Sequence, residues 1–367
     1  MALEWLEVEG YRSLRALRVP LGRINVVVGP NGCGKTNFYR SVLLTAAAAA
    51  GRLAWNVVDE GGMPSLLWAG PRKTGPVRAR FEISLSDLCY ELVLGLSREI
   101  TSPFQLDPRV KTERVSTAAA TPRVVLMERE ISSAWVRDAD GRRTAFPQVL
   151  DETESVLSQL REPHRFPHLS VLRQTLLDWR FYHGFRTDLA SPLRQPQVAL
   201  RTPVLAADGR DLAAAIVTIH EMGLAEDLEQ AVDRAFPGAT LSVETDRGQF
   251  SLCLHMPGIQ RPFDARELSD GTLRYLCLAA AALSPRRPGL LAFNEPETSL
   301  HPDLLEPLAH LLVRAAERSQ LWVTTHSSQL ADHLEALTEI RRIELCLEQG
   351  ETRLAHRGAQ HWKVVGP

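Results

Sequence analysis

Lysine is almost missing from this chain of 367 residues: Lys35, Lys73, Lys111 and Lys363 are its only four among 42 basic side chains, the rest being arginine. Net charge of one sign is missing too. Forty-four acids leave a formal charge of −2, which excludes a polybasic nucleic-acid binder as a whole while leaving room for a local basic patch. Cysteine is scarce, with five at positions 33, 89, 253, 277 and 346. None forms a Cys-x-x-Cys pair, which speaks against a zinc site, and an odd, scattered set fits a reducing compartment. No long apolar run occurs. The longest strongly apolar stretch, Leu276 to Leu283, is far short of the ~20 residues that cross a bilayer. The first residues, Met1 to Glu7, carry acids where a signal peptide needs a basic and then an apolar run. The expectation is a soluble, cytoplasmic protein with no membrane contact.

What is present is ordinary for a folded protein: 44% apolar and 23% charged residues. Disorder, collagen, coiled coil and disulfide scaffold are excluded. The length allows two domains, or one large domain with an insertion. Leu6-Glu7-Val8 and Leu14 to Val19 alternate as strands, and Ile24 to Val28 is a continuous apolar run, as in a strand covered on both faces. A helix is expected from Lys35 to about Ala50. Period-two patterning between about 76 and 149 predicts antiparallel sheet, with a surface loop over Thr101–Thr121 and a hairpin at Asp138–Gly141. Residues 151–235 read as mainly helical. From Leu268 onward, helix 271–283, strand Leu290–Phe293, helix 303–317 and strand Leu321–Thr325 alternate in the manner of a parallel sheet. The organisation expected is therefore 1–75 as the first part of a core, 76–150 as antiparallel β, 151–240 as a helical lobe, and 241–367 as the rest of the core.

Gly29-Pro30-Asn31-Gly32-Cys33-Gly34-Lys35-Thr36 matches the P-loop pattern G-x-x-x-x-G-K-[ST]. Its glycines allow backbone N–H groups to turn inward around phosphate oxygens, and the helix that starts there adds its N-terminal field. Lys35 then reaches the β- and γ-phosphates, and the Thr36 hydroxyl ligates Mg²⁺. With only four lysines, a chance match to this pattern is improbable. Leu290 to Glu297 is an apolar strand that ends in acids, at the sheet edge where phosphates bind in α/β folds. Glu295 is suited to accept a proton from an attacking water. Ser269 or Asp270 caps the next predicted helix, with Gly271 leaving the approach open. His326 follows a strand in Thr324-Thr325-His326-Ser327. Alone, a cap and a lone histidine need no function.

In order, the four segments resemble the ATPase heads of the ABC superfamily: Walker A at 29–36, signature at 268–272, Walker B at 293–295 and switch histidine at 326. The closer resemblance is to RecF-like and SMC-like stand-alone ATPases near the OLD nucleases. It rests on Tyr11-Arg12-Ser13-Leu14, on Asn37 after Lys35-Thr36, and on Glu295-Pro296-Glu297-Thr298-Ser299-Leu300-His301-Pro302. Trp179 to Arg186 is also similar to that group, and by residue type it reads as an aromatic helix face in a core. The fold implied is α/β, a P-loop NTPase of ABC-ATPase type with an antiparallel β subdomain and a helical insertion lobe. The resemblance further implies Mg·ATP held by Gly29 to Asn37 and sandwiched in a homodimer. Ser269, Asp270 and Gly271 of one chain would then face the γ-phosphate bound by the other, with Glu295, His326 and Lys35 in catalysis and Thr36 and Asn294 at the metal. Ser299 to His301 would lie at the dimer seam.

Two departures matter. Asn294 stands where an acid usually helps orient Mg²⁺, and an uncharged amide there predicts slow hydrolysis. No Q-loop glutamine is evident, Asp59 and Glu60 being the nearest candidates. The partner is open between DNA, in repair, recombination or phage defence, and an effector protein held by an ATP-gated binding module. Residues 161–201 carry seven arginines against three acids, with Trp179, Phe181, Tyr182 and Phe185 among them. That mixture suits phosphate contact and base stacking, although a solvated helical lobe has the same composition.

Overall fold

The computed structural model describes residues 1–71, 77–96, 103–119, 122–146, 149–160 and 162–355. Alternating apolar residues make β1 (Leu3–Tyr11) and β2 (Leu14–Pro20), which pair antiparallel. The unbroken apolar run becomes β3 (Ile24–Val28), buried along its whole length, and leads into α1 (Lys35–Ala49). Two short helices follow, α2 (Leu53–Asp59) and α3 (Met63–Leu66). Then come β4 (Arg78–Leu85), β5 (Leu88–Gly95), β6 (Arg109–Thr117), β7 (Val125–Glu130), β8 (Ser133–Arg137) and β9 (Arg143–Ala145). Together with the first two strands they form an eight-stranded antiparallel sheet of order β2-β1-β4-β5-β6-β7-β8-β9.

After α4 (Val156–Gln159) and α5 (Pro167–Asp178), the chain runs as β10 (Arg180–Tyr182) and, further on, β11 (Gln197–Val198). Helices α6 (Leu212–Ile219) and α7 (Ala225–Ala235) precede β12 (Thr240–Asp246), β13 (Gln249–His255) and β14 (Phe263–Asp264), which with β11 make a small sheet. The last third alternates α8 (Asp270–Ala282), β15 (Leu290–Asn294), α9 (Leu305–Ala316), β16 (Gln320–Thr325) and α10 (Ser328–Leu337), and closes with β17 (Arg341–Glu348) and β18 (Glu351–Leu354). These strands order as β10-β15-β16-β3-β17-β18, parallel from β10 to β17. Among the described residues no helix is long and apolar enough to cross a membrane.

The parallel sheet divides two cores, because its strands send alternate side chains to opposite faces. Val27, Leu290, Ala292, Trp322 and Ile343 join α1, α5 and the antiparallel sheet. Ile24, Val26, Leu291, Phe293 and Val323 join α6 to α10. Both faces are therefore dry, and only the strand ends are left for polar chemistry.

Two expectations are corrected. Within Thr101–Thr121, Arg109–Thr117 is not a loop but the paired strand β6. Its inward face carries the buried Glu113 among Val110 and Val115, and a charged residue in the core hides the alternation. Residues 101, 102, 120 and 121 lie outside the described residues. Trp179–Arg186 is not a helix face either: its first part forms the sheet-edge strand β10, and the segment stays non-helical up to a short 3-10 turn at Pro192–Arg194. Trp179, Tyr182 and Phe185 are buried as core and Phe181 packs against it partly exposed, with Tyr182 stacked on Phe293 at 5.5 Å. Parallel pairing with β15 sets this aromatic segment as a strand.

Candidate active site

Register brings three of the four sequence motifs to one edge. Thr324 stands opposite Asn294, and Thr325 opposite Val28, so β15, β16 and β3 end side by side. From those ends issue Glu295, His326 and the Gly29–Thr36 loop.

Within that loop Lys35 is 4% exposed and its Nζ donates to the carbonyls of Gly29 at 2.7 Å and Pro30 at 3.1 Å. Gly34 precedes α1 with φ 101 and supplies no side-chain cap, leaving first-turn N–H groups uncapped by any side chain. A Cβ on Gly34 would stand 2.1 Å from Thr352 Oγ1, so glycine is also needed for close approach. Thr352, on β18, donates to the Cys33 carbonyl at 2.8 Å and lies 2.8 Å from Ser13 Oγ. Ser13 in turn accepts from Asn37 Nδ2 at 2.9 Å, and Arg12 donates to Asn37 Oδ1 at 3.4 Å. The Tyr11-Arg12-Ser13-Leu14 turn thus braces the loop from behind. Asn37, expected among the nucleotide ligands, spends both ends of its amide on that brace. Glu60 is likewise engaged, accepting from Tyr11 OH at 2.7 Å and pairing with Arg12 at 3.0 Å.

Glu295 adopts a left-handed conformation, φ 49, as does Ser299, φ 65. Such strain in a non-glycine residue costs on the order of 1–3 kcal/mol and persists only where neighbours enforce it. Here the Glu295 N–H donates to Thr324 O at 2.7 Å, and Arg274 from α8 donates to Glu295 O at 3.0 Å. Burial lowers the Arg274 pKa from its usual value, and the Glu297 carboxylate opposes that shift. His183, one residue past β10, is also held below its usual pKa by burial, with Arg40 adding to the shift and the charge of Glu295 opposing it.

Glu297 is the residue sequence reasoning undervalued. It is 6% exposed, and its Oε1 accepts from Thr325 Oγ1 at 2.5 Å and from the His326 N–H at 3.0 Å. His326 Nδ1 lies 3.1 Å from the same oxygen, which leaves Nε2 as the ring atom available to a ligand. Glu297 Oε2 and Asn294 Oδ1 are buried with no hydrogen-bond partner. Buried polar oxygens without partners are uncommon, and each needs an explanation.

The signature segment is built apart from this edge. Ser269 caps α8, its Oγ accepting from the Thr272 N–H at 3.1 Å. A Cβ on Gly271 would meet Ser299 O at 2.8 Å, so the 269–272 turn and the 299–301 turn are in contact. Together they line an open cleft of about 820 Å³ that includes Asp270, His301 and Asp303 but no residue of the 29–36 loop.

The arginine-rich segment does not form a stacking surface. Trp179, Tyr182 and Phe185 are buried. Arg165 pairs with Glu162, Arg186 with Asp188 and Arg201 with Glu221, while Arg180 donates to two backbone carbonyls. Arg161 lies outside the described residues.

No curated protein matches the chain. Among solved structures it is similar to an SMC head bound to the C-winged helix domain of ScpA, at 15% identity and TM-score 0.53, over 97% of this chain and 98% of that one. It is also similar to an SMC head with an extended coiled coil, bound to the C-terminal domain of ScpA and derived from Pyrococcus furiosus, at 14% identity and TM-score 0.52, over 96% of each chain. These likenesses establish the SMC-head, ABC-ATPase type of P-loop fold. Residues 24–332 match the family described as AAA domain, putative AbiEii toxin, Type IV TA system, and the chain belongs to that family.

Proposed function

We propose that the protein is an ATPase that closes as a homodimer around ATP and works as a switch in phage defence, DNA repair or recombination. One observation carries this reading: a P-loop, a strand-terminal glutamate and a histidine share one sheet edge, where two buried oxygens lack partners. The uncapped start of α1 and Lys35 suit the phosphates of ATP. Thr36 and Asn294 are the residues that would hold Mg²⁺, which when bound supplies positive charge to the β- and γ-phosphate oxygens. Glu295 accepts the proton of a water whose oxygen bonds to the γ-phosphorus as the bond to ADP breaks. Glu297 holds His326 with Nε2 directed away from itself, ready for the γ-phosphate.

The cleft beside Ser269 and Gly271 contains no P-loop residue, which supports completion of each site by a second chain. The uncharged Asn294 favours slow hydrolysis and hence a long-lived closed state, in which an effector protein is held or released. The burial of Trp179, Tyr182 and Phe185 favours a protein over a stacked nucleic acid as the partner. The test is light scattering with Mg·ATP. Glu295→Gln keeps binding but loses the proton acceptor, slowing turnover by about 10²–10⁴-fold, so its mass moves toward twice 40.8 kDa. Adding Ser269→Arg keeps it monomeric. A monomer in every nucleotide state, or a dimer indifferent to both ATP and Ser269→Arg, contradicts the reading. ATP turnover with and without DNA separates the two kinds of partner.

A further inference from the structure

Among the described members of the arginine-rich segment, Arg194 is the one whose guanidinium is built into the core next to the signature. Its residue is 5% exposed. Nη1 donates to the carbonyls of Leu268 at 2.7 Å, Arg266 at 3.0 Å and Ala265 at 3.2 Å. Nη2 donates to Asp270 Oδ1 at 2.8 Å, and Nε to Thr187 O at 2.9 Å. Every one of its nitrogens is therefore engaged, and four of the five acceptors belong to the six residues 265–270 at the start of α8. A planar fork of donors suits such an array, whereas a lysine offers one ammonium. Asp270 is the residue that gives this fork a charged partner, and its side chain remains 60% exposed at the cleft. The segment bearing Arg194 also carries β11, which joins the small sheet through β13. That sheet thus reaches the signature by two routes, through the backbone of β14, where the Ala265 N–H donates to Leu252 O at 3.0 Å, and through the side chain of Arg194.

We infer that Arg194 is a positioning residue that fixes the 265–270 turn, and with it Ser269, in the geometry required to grip ATP bound by a second chain. The inference rests on the shared ATP site proposed above. Its consequence is asymmetric: an Arg194 variant keeps its own P-loop and fails only as the donor of a signature.

Complementation reads that asymmetry. Arg194→Ala should bind a fluorescent ATP analogue with wild-type affinity, yet lose about tenfold or more in turnover, the scale expected for losing hydrogen bonds from a charged donor. Arg194→Lys should fall between. Mixed with Lys35→Ala, which has a disabled P-loop and an intact signature, Arg194→Ala should regain turnover, because the mixed dimer contains one site with both parts sound. A pair of Ser269→Arg and Lys35→Ala serves as reference. If the reference pair does not complement, the shared site itself is wrong. If it does complement, then wild-type turnover in Arg194→Ala, or no rescue of it by Lys35→Ala, overturns the role of Arg194. Should Arg194→Ala fail to bind nucleotide at all, Asp270→Ala decides. It removes the charged partner from an exposed position, and it should lower turnover and be rescued by Lys35→Ala. Unchanged turnover in Asp270→Ala then overturns the inference.

Discussion

Glu113 and Glu297 are both buried carboxylates, one in the antiparallel sheet and one behind the parallel sheet. Glu113 accepts from Tyr90 OH at 3.0 Å, Ser155 Oγ at 2.5 Å and the Val156 N–H at 2.9 Å, and faces Arg129 at 3.8 Å. Both of its oxygens are engaged, and burial nonetheless pushes its pKa above the usual carboxylate value. Glu297 spends one oxygen on Thr325 and His326 and leaves the other unpartnered, with Asn294 Oδ1 in the same condition. A buried polar group that is fully satisfied has done its work in holding the fold. Under the proposed function, the one left half-satisfied at the end of β15 is the candidate to face a bound metal or its waters. On the proposed function, that distinction separates a structural carboxylate from a functional one, although the residues and their burial are alike.

Three substitutions sharpen the contrast. The largest effect is on stability: Glu113→Ala leaves Arg129 as an uncompensated buried charge, at a cost of about 3–5 kcal/mol. Urea denaturation should report that loss, while nucleotide affinity under native conditions stays at the wild-type value. Lys35→Ala reverses the pattern. It should leave the denaturation midpoint almost unchanged and cost about 3–4 kcal/mol of binding or transition-state stabilisation, as for loss of one preorganised donor. Equal ATP affinity and turnover in that variant would remove the P-loop assignment. The smallest effect is expected from Glu297→Gln, which keeps the shape but removes the charge facing His326. Turnover should drop roughly tenfold with little change in stability, because the second oxygen makes no bond to lose. If Glu297→Gln instead unfolds the protein as Glu113→Ala does, the two carboxylates are of one kind and the contrast fails.

Much of the parallel half is legible in the sequence because its signals are local. Gly29 to Thr36 is contiguous, Ile24 to Val28 and Leu290 to Phe293 are unbroken apolar runs, and the acids at 295 and 297 follow directly. The antiparallel half hides where Glu113 and Arg129 stand in place of apolar residues, because a satisfied ion pair erases the period-two pattern. Strand β10 is hidden for another reason: three residues gain strand geometry only from their neighbour β15. Arg194 and Thr352 carry no sequence signal at all. Arg194 lies 76 residues from Asp270, and Thr352 lies 339 residues from Ser13, so only the fold makes them partners. Asn37 is the opposite case, a motif position next to the loop whose side chain hydrogen-bonds Ser13 and Arg12 as a brace.

The most direct test is a crystal structure of Glu295→Gln with Mg·ATP. The account predicts two chains enclosing two nucleotides, with Lys35 on the phosphates, Thr36 and Asn294 Oδ1 at the metal or its waters, and Ser269 of the partner subunit on the γ-phosphate. A nucleotide bound by one chain alone, with Asn294 Oδ1 and Glu297 Oε2 still unpartnered, would contradict it.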